Sequence, residues 1–140
     1  MKAEWFITFD YDEYGHGELK LHNDSLISLF ANARTGSISQ AGNLVNKIMP
    51  GIWTIRSASV DTTEKSMEWE KHFGWKVRLW TPAGNWSRFL IHPDGSSKGR
   101  RGNGTSGCIG LQGNYLELRF EIDKIIGLQG AMKVYVNTSY

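Results

Sequence analysis

The chain contains one cysteine, Cys108, which follows His92 in the same glycine-rich stretch. A thiol with a pKa of about 8.5 is a weak nucleophile at neutral pH unless a nearby imidazole takes its proton. Small residues precede the cysteine in the run Thr105-Ser106-Gly107-Cys108, so a substrate carbonyl can approach closely and the Cys108 N–H can hold a developing oxyanion. These residues predict a cysteine nucleophile with His92 as its base.

The sequence around His92 predicts how the two groups are positioned. A strand ending at Ile91 delivers His92 to a turn at Pro93-Asp94-Gly95, and a polar loop then leads to Cys108. Catalytic groups often lie at strand ends and in loops, because a rigid scaffold then aims them outward. Three basic residues in the loop are predicted to favour the thiolate and to attract a carboxylate-bearing substrate: Lys98, Arg100 and Arg101.

Simpler interpretations of these residues stay open. The basic loop can be a solvated turn, and His92 can be a turn histidine without a partner. A single cysteine is usually a small buried hydrophobe. Only the pairing of His92 with a glycine-flanked cysteine favours catalysis.

Two other kinds of site are rejected. Gly102–Gly107 matches G-x-G-x-x-G, but no strand precedes it and a poor helix start follows it, so it does not predict a dinucleotide site. The chain has four histidines, namely His16, His22, His72 and His92. They do not have the close spacing of metal ligands, and the chain has a single cysteine, so we expect no metal and no cofactor.

Length and charge limit the class of protein. The 140 residues suit one domain spanning 1–140. A net charge of +2 does not indicate nucleic acid as a partner. No apolar run is long enough for a membrane span, and the N-terminus lacks the features of a secretory signal. We therefore expect synthesis in the cytoplasm.

Period-2 patterns bounded by Gly, Asn and Asp predict a β-rich chain. We expect a mostly β fold, β-sandwich-like with mixed sheets, with one packed helix near the C-terminus in a single domain. The predicted strands are Trp5–Phe9, Glu18–His22, Leu26–Ala33, Gly51–Val60, Lys76–Trp80, Arg88–Ile91 and Met132–Val136.

The packed helix is predicted over Tyr115–Ile126, where apolar residues recur at helical spacing. Asn114 and Glu117 resemble a capping box, and Gly127 is the expected stop. A half-buried strand is the alternative, because Leu116–Ile122 also alternates. A weaker pattern over Thr62–Phe73 indicates a surface helix or a long loop.

The motifs resemble those of the YkuD-like L,D-transpeptidases. That family carries an isoleucine-histidine pair at a strand end and, downstream, Ser/Thr-His-Gly-Cys followed by an aliphatic residue and an arginine. Ile91-His92 and Thr105–Ile109 match these in order. The similarity is greatest to the small L,D-transpeptidase-like effectors of type VI secretion and related phage-borne proteins, whose Pro-Gly-aromatic-Thr-Ile stretch resembles Pro50–Ile55. Ser106 and Gly110 stand where the main family has His and Arg.

The resemblance implies a reaction and its residues. The Cys108 thiolate would attack the carbonyl that links the third residue of a peptidoglycan stem peptide to D-Ala, with His92 as base and then acid. A thioacyl-enzyme would be resolved by water, a D-amino acid or another amine. In the family, a backbone carbonyl just after the catalytic histidine orients its ring, and Pro93 occupies that place.

The resemblance also implies a setting. An effector of this kind acts in the periplasm or cell wall of a target cell after delivery by a secretion system or phage, and an immunity protein is then an expected partner. Two alternatives remain. One is a papain-like peptidase, whose cysteine signature is missing here. The other is a non-catalytic cell-wall-binding or phage structural module of the same fold.

Overall fold

The computed structural model describes residues 4–24, 26–56, 60–61, 75–93 and 108–140. Eleven strands and one helix occur in these residues. In chain order they are β1 Trp5–Tyr11, β2 His16–Asn23, β3 Leu26–Arg34, β4 Ser37–Ile38, β5 Leu44–Val45, β6 Gly51–Arg56, β7 Val60–Asp61, β8 Lys76–Trp80, β9 Trp86–Pro93, β10 Ile109–Leu111, α1 Tyr115–Gln129 and β11 Ala131–Thr138.

Nine of the strands form one mixed sheet in the order β6-β11-β1-β2-β3-β10-β9-β8-β7. Strand β6 pairs with β11 on one side and, through Thr54 and Trp80, with β8 on the other, so the sheet closes on itself. The pairs β1–β11 and β9–β10 are parallel, and the remaining neighbours are antiparallel. The expected β-rich fold with mixed pairing and one C-terminal helix is confirmed.

The closed sheet is filled by every second residue of its strands. In β1, Ile7, Phe9 and Tyr11 are fully buried, and Leu19 and Leu21 of β2 face the same interior. Successive side chains of a strand point to opposite faces, so the alternation in the sequence decides which face lies inside. Burial of each large apolar side chain contributes about 1.5–3 kcal/mol to folding.

Helix α1 crosses from β3 to β1 and joins this core. Its buried residues pack in the same cluster as the inward strand residues: Leu118, Ile122, Ile125 and Ile126. At its C-terminal end, Gln129 Oε1 accepts a hydrogen bond from Trp5 N at 3.1 Å, and Gln129 Nε2 donates to Trp5 O at 3.0 Å. The helix is therefore fixed to the sheet at both of its ends and packs against the core. No helix in the described ranges is long and apolar enough to cross a membrane.

The helix is confirmed over the strand alternative, but its start differs from the prediction. Asn114 has φ 52° and its side chain makes no capping bond, so the expected capping box with Glu117 is wrong. The Asn114 amide instead donates to the Phe30 carbonyl in β3 at 2.5 Å. The Asn114 side chain thus makes a tertiary contact with β3 instead of the helix-capping bond that the local pattern predicted.

The predicted stop at Gly127 is also wrong. Gly127 lies within the helix, which continues to Gln129. Gly130, with φ 82°, ends it and donates its N–H to the Ile126 carbonyl at 2.8 Å. The left-handed conformation favours glycine, and only the second of the two glycines adopts it.

All seven predicted strands are present, Lys76–Trp80 with the ends predicted for it and the other six with at least one shifted end. Three short strands were not predicted, namely β4, β5 and β10. The predicted Gly51–Val60 strand is divided, because β6 ends at Arg56 and residues 57–59 are outside the described residues. The predicted Thr62–Phe73 helix also lies outside them.

Candidate active site

His92 lies near the end of β9, on the outer face of the barrel. The preceding residue, Ile91, is fully buried in the core, so the His92 side chain points to the opposite face. Nevertheless only 7% of its surface is exposed. An imidazole shielded from water in this way must satisfy its ring nitrogens within the protein.

The ring is oriented by the next residue. His92 Nδ1 lies 2.6 Å from the Pro93 carbonyl oxygen. A carbonyl only accepts hydrogen bonds, so the neutral ring carries its proton on Nδ1 and presents Nε2 as an acceptor. The contact between the His92 ring and the Pro93 carbonyl, which the resemblance implied, is therefore present, and it sets the tautomer that a general base needs.

Cys108 immediately precedes β10, which runs parallel to β9. Ile109 pairs with Ile91, and Gly110 pairs with His92. Ile109 and Ile91 both point into the core. By strand alternation, Cys108 and Gly110 share the outer face with His92, and Cys108 lies diagonally across from it.

Gly110 is a buried residue that lies beside His92 in the sheet. It is paired with His92 on one side and with Arg34 of β3 on the other, so these three positions form one row across three strands. Side chains paired in register project side by side on the same face. Any larger residue at 110 would place its side chain against the His92 ring.

The thiol is half-buried, and its surroundings act on its pKa in opposing directions. Burial raises the pKa of the Cys108 thiol above its ordinary value, and this is the largest effect. A hydrogen bond with the Leu90 backbone and the charge of Arg78 act to lower it. Because burial dominates, the resting group is a thiol rather than a thiolate. A thiol in this state needs a base before it can act as a nucleophile.

Arg78 is a member of this site that the sequence did not reveal. It pairs with Leu90 across β8 and β9, so it shares the outer face with Cys108. Arg78 Nη1 donates to the Ser87 carbonyl at 2.6 Å, and its guanidinium carbon lies 4.2 Å from the centre of the Trp86 ring. The alternation of Val77, Arg78 and Leu79 already indicated that Arg78 faces outward, but the pairing of β8 with β9 was needed to locate it.

Arg34 borders the site from the other side, through its pairing with Gly110. Its Nε atom is buried and has no hydrogen-bond partner. The cysteine and the histidine therefore lie on two central strands, with one arginine on each flanking strand.

The remaining predicted site residues fall in 94–107, outside the described residues. Their roles in the oxyanion site and in substrate binding stay predictions: Lys98, Arg100, Arg101, Thr105, Ser106 and Gly107. In the part of the chain that the structure describes, no three or more His, Cys, Asp or Glu side chains form a group suited to a metal ion. A polar cleft of about 340 Å³ lies on the neighbouring strands, over His16, Glu18 and Asn32.

Comparisons with protein-family models, with curated proteins and with solved structures each give no match. The functional assignment therefore depends on the motifs and on the geometry of His92, Cys108 and their neighbours.

Proposed function

We propose that the protein is a peptidoglycan-modifying cysteine enzyme that acts on stem tetrapeptides through a Cys108 thioacyl intermediate. The observation that carries the proposal is the β9–β10 register, in which Cys108 and His92 share the outer face of adjacent parallel strands. The single cysteine of the chain and a buried, oriented histidine are thus neighbours. The chemistry required of them is that of a thiol and its base.

The first half-reaction transfers one proton twice. His92 Nε2 takes the Cys108 proton as sulfur attacks the carbonyl carbon before the terminal D-Ala. The new carbon–sulfur bond forms, the carbon–nitrogen bond breaks, and His92 returns the proton to the departing amine. This order suits a thiol whose pKa is raised by burial, since proton removal accompanies attack.

The second half-reaction releases the acyl group. Water or an amine gives a proton to His92 as it attacks the thioester, and the proton then returns to the sulfur. With water the enzyme is an L,D-carboxypeptidase; with an amine it is an L,D-transpeptidase or a D-amino-acid exchanger.

The proposal includes a setting. The enzyme would act on cell walls outside the cytoplasm of a target cell, delivered by a secretion system or a phage, with an immunity protein in the producing cell. The similarity of the motifs to L,D-transpeptidase-like effectors supports this part.

The test is D-Ala release from purified tetrapeptide muropeptides. We expect release by the wild type, no release by Cys108→Ala, and a loss of about 10²- to 10⁴-fold in His92→Ala. Intact-protein mass should detect the thioacyl adduct in the wild type only. His16→Ala removes an exposed imidazole from the same face, two strands beyond Gly110, and should leave the rate unchanged.

Release of D-Ala by Cys108→Ala at the wild-type rate would remove the cysteine from the mechanism. Complete inactivity of the wild type on muropeptides and intact sacculi, together with an inert thiol, would favour the non-catalytic binding module.

A further inference from the structure

We propose that Arg78 is an anion-binding residue of the Cys108 site and receives the carboxylate of the terminal residue of the substrate. The identity of that substrate rests on the proposed function, whereas the anion preference of the site can be tested without it. The inference starts from three positions that form one row on the outer face: Cys108, Leu90 and Arg78.

The Arg78 guanidinium is in the electrostatic neighbourhood of the Cys108 thiol, which is the place of a bound ligand's anionic group. Arg78 lies two strands from Cys108, and strands are about 4.8 Å apart, so roughly 10 Å separates the two backbones. Its guanidinium lies beside Ser87 and Trp86 of β9. Its charge acts on the thiol, which supports this placement. In the proposed substrate, only the amide nitrogen and one carbon separate the attacked carbonyl from the terminal carboxylate.

The contacts of the Arg78 guanidinium leave N–H donors available to bind an anion. The Trp86 ring covers one face of the guanidinium, and the Ser87 carbonyl accepts from Nη1. A guanidinium has five N–H donors in its plane, so stacking fixes the plane without consuming them. Trp86 is 59% exposed, so this edge of the site is open to a ligand. A preoriented guanidinium binds a carboxylate with two parallel hydrogen bonds.

The chain offers a matched control in Arg56. Its guanidinium carbon lies 4.1 Å from the centre of the Trp80 ring, so it makes the same kind of cation–π contact on the barrel surface. Arg56 belongs to β6, which borders β8 but not β9. It should not influence a ligand at Cys108.

The test compares alkylation of Cys108 by iodoacetate, which is an anion, and by iodoacetamide, which is neutral. Both reagents consume the same thiolate, so the ratio of their rates cancels any change in the thiol pKa. We expect Arg78→Gln to lower the iodoacetate-to-iodoacetamide ratio by about two- to fivefold, the effect of one partly exposed ion pair. Arg56→Gln should keep the wild-type ratio.

A second measurement connects this preference to the substrate. With tetrapeptides ending in a free carboxylate, Arg78→Gln should raise KM more than it lowers kcat. With the same peptides amidated at the C-terminus, wild type and Arg78→Gln should have similar KM values. If Arg78→Gln does not fold, Arg78→Lys serves, because it keeps the charge but loses the planar pair of donors and should give an intermediate KM.

The outcomes separate the two proposals. An unchanged alkylation ratio in Arg78→Gln overturns the anion site even if D-Ala is released normally. A ratio that falls in a Lys98/Arg100/Arg101 triple alanine variant but not in Arg78→Gln also overturns it. A reduced ratio in Arg78→Gln without any D-Ala release by the wild type supports the anion site and refutes the proposed substrate.

Discussion

The hydrogen bond between His92 and the Pro93 carbonyl predicts that stability and reactivity can be separated by the choice of substitution. His92→Asn keeps an amide donor close to the place of Nδ1, so the Pro93 carbonyl retains a partner. It has no acceptor at the position of Nε2. His92→Ala removes both atoms and leaves the buried carbonyl without a side-chain donor.

The expected difference in stability follows from the burial of this contact. A buried acceptor that loses its partner costs about 1–3 kcal/mol. We therefore expect the free energy of unfolding of His92→Ala to lie that far below the value for His92→Asn. Both variants lack the imidazole that we propose as the base, so alkylation of Cys108 near neutral pH should slow to a similar extent in each.

Urea unfolding at pH 7 measures the first quantity and iodoacetamide labelling of the folded proteins measures the second. His16→Ala is the matched control for both measurements, since its imidazole lies on the same face but is exposed. It should change neither the unfolding midpoint nor the labelling rate.

Two results would refute the reasoning. Equal destabilisation by His92→Asn and His92→Ala would mean that the bond to Pro93 does not account for the stability of the buried ring. Wild-type labelling in His92→Asn would mean that the imidazole does not act on the thiol.

Three further predictions concern the barrel. Burial is the main cause that raises the pKa of Tyr11 to about 12. The protonated side chain therefore stabilises the fold below pH 10, and this contribution is lost as the pH rises from 10 to 12. In urea unfolding, the wild type should lose about 2–3 kcal/mol more than Tyr11→Phe over this pH range. A Cβ at Gly17 would lie 1.8 Å from a β1 carbonyl oxygen, so Gly17→Ala should lower the free energy of unfolding by about 3 kcal/mol. Gly127 lies within the helix with open space around it, so Gly127→Ala should raise the free energy of unfolding by about 0.5–1 kcal/mol. Leu118→Ala should cost about 2–5 kcal/mol and the exposed Leu116→Ala under about 0.5 kcal/mol in the same assay.

Much of the fold could be predicted because alternation and burial agree along the strands. Lys76–Trp80 was predicted with its observed ends, and its inward residues, Val77 and Leu79, are fully buried. Closure of the sheet could not be predicted. It depends on the pairing of Thr54 with Trp80, and no local pattern encodes which distant strands meet.

The helix ends were mispredicted for a related reason. Asparagine is a common residue type at helix N-caps, but the Asn114 side chain donates a hydrogen bond to the carbonyl of Phe30, which is distant in the sequence. Gly127 and Gly130 look alike in the sequence, and only the positive φ at Gly130 distinguishes them. Local signals identified the element, whereas tertiary contacts set its limits.

Candidate site residues were identified where chemistry depends on residue type. Cys108 and His92 could be chosen from the sequence, because a thiol and an imidazole have few substitutes in this role. Arg34 and Arg78 could not, because they join the site only through strand pairing. Their sequence neighbours indicate exposure and nothing about chemistry.

The parallel pairing of β9 with β10 has an evolutionary consequence. His92 lies near the end of β9 and Cys108 immediately precedes β10, so residues 94–107 connect the two residues in the sequence. The spacing of the two groups is fixed by interstrand hydrogen bonds and not by the length of this connection. Changes in the length of the segment between them during evolution should therefore leave His92 and Cys108 in register.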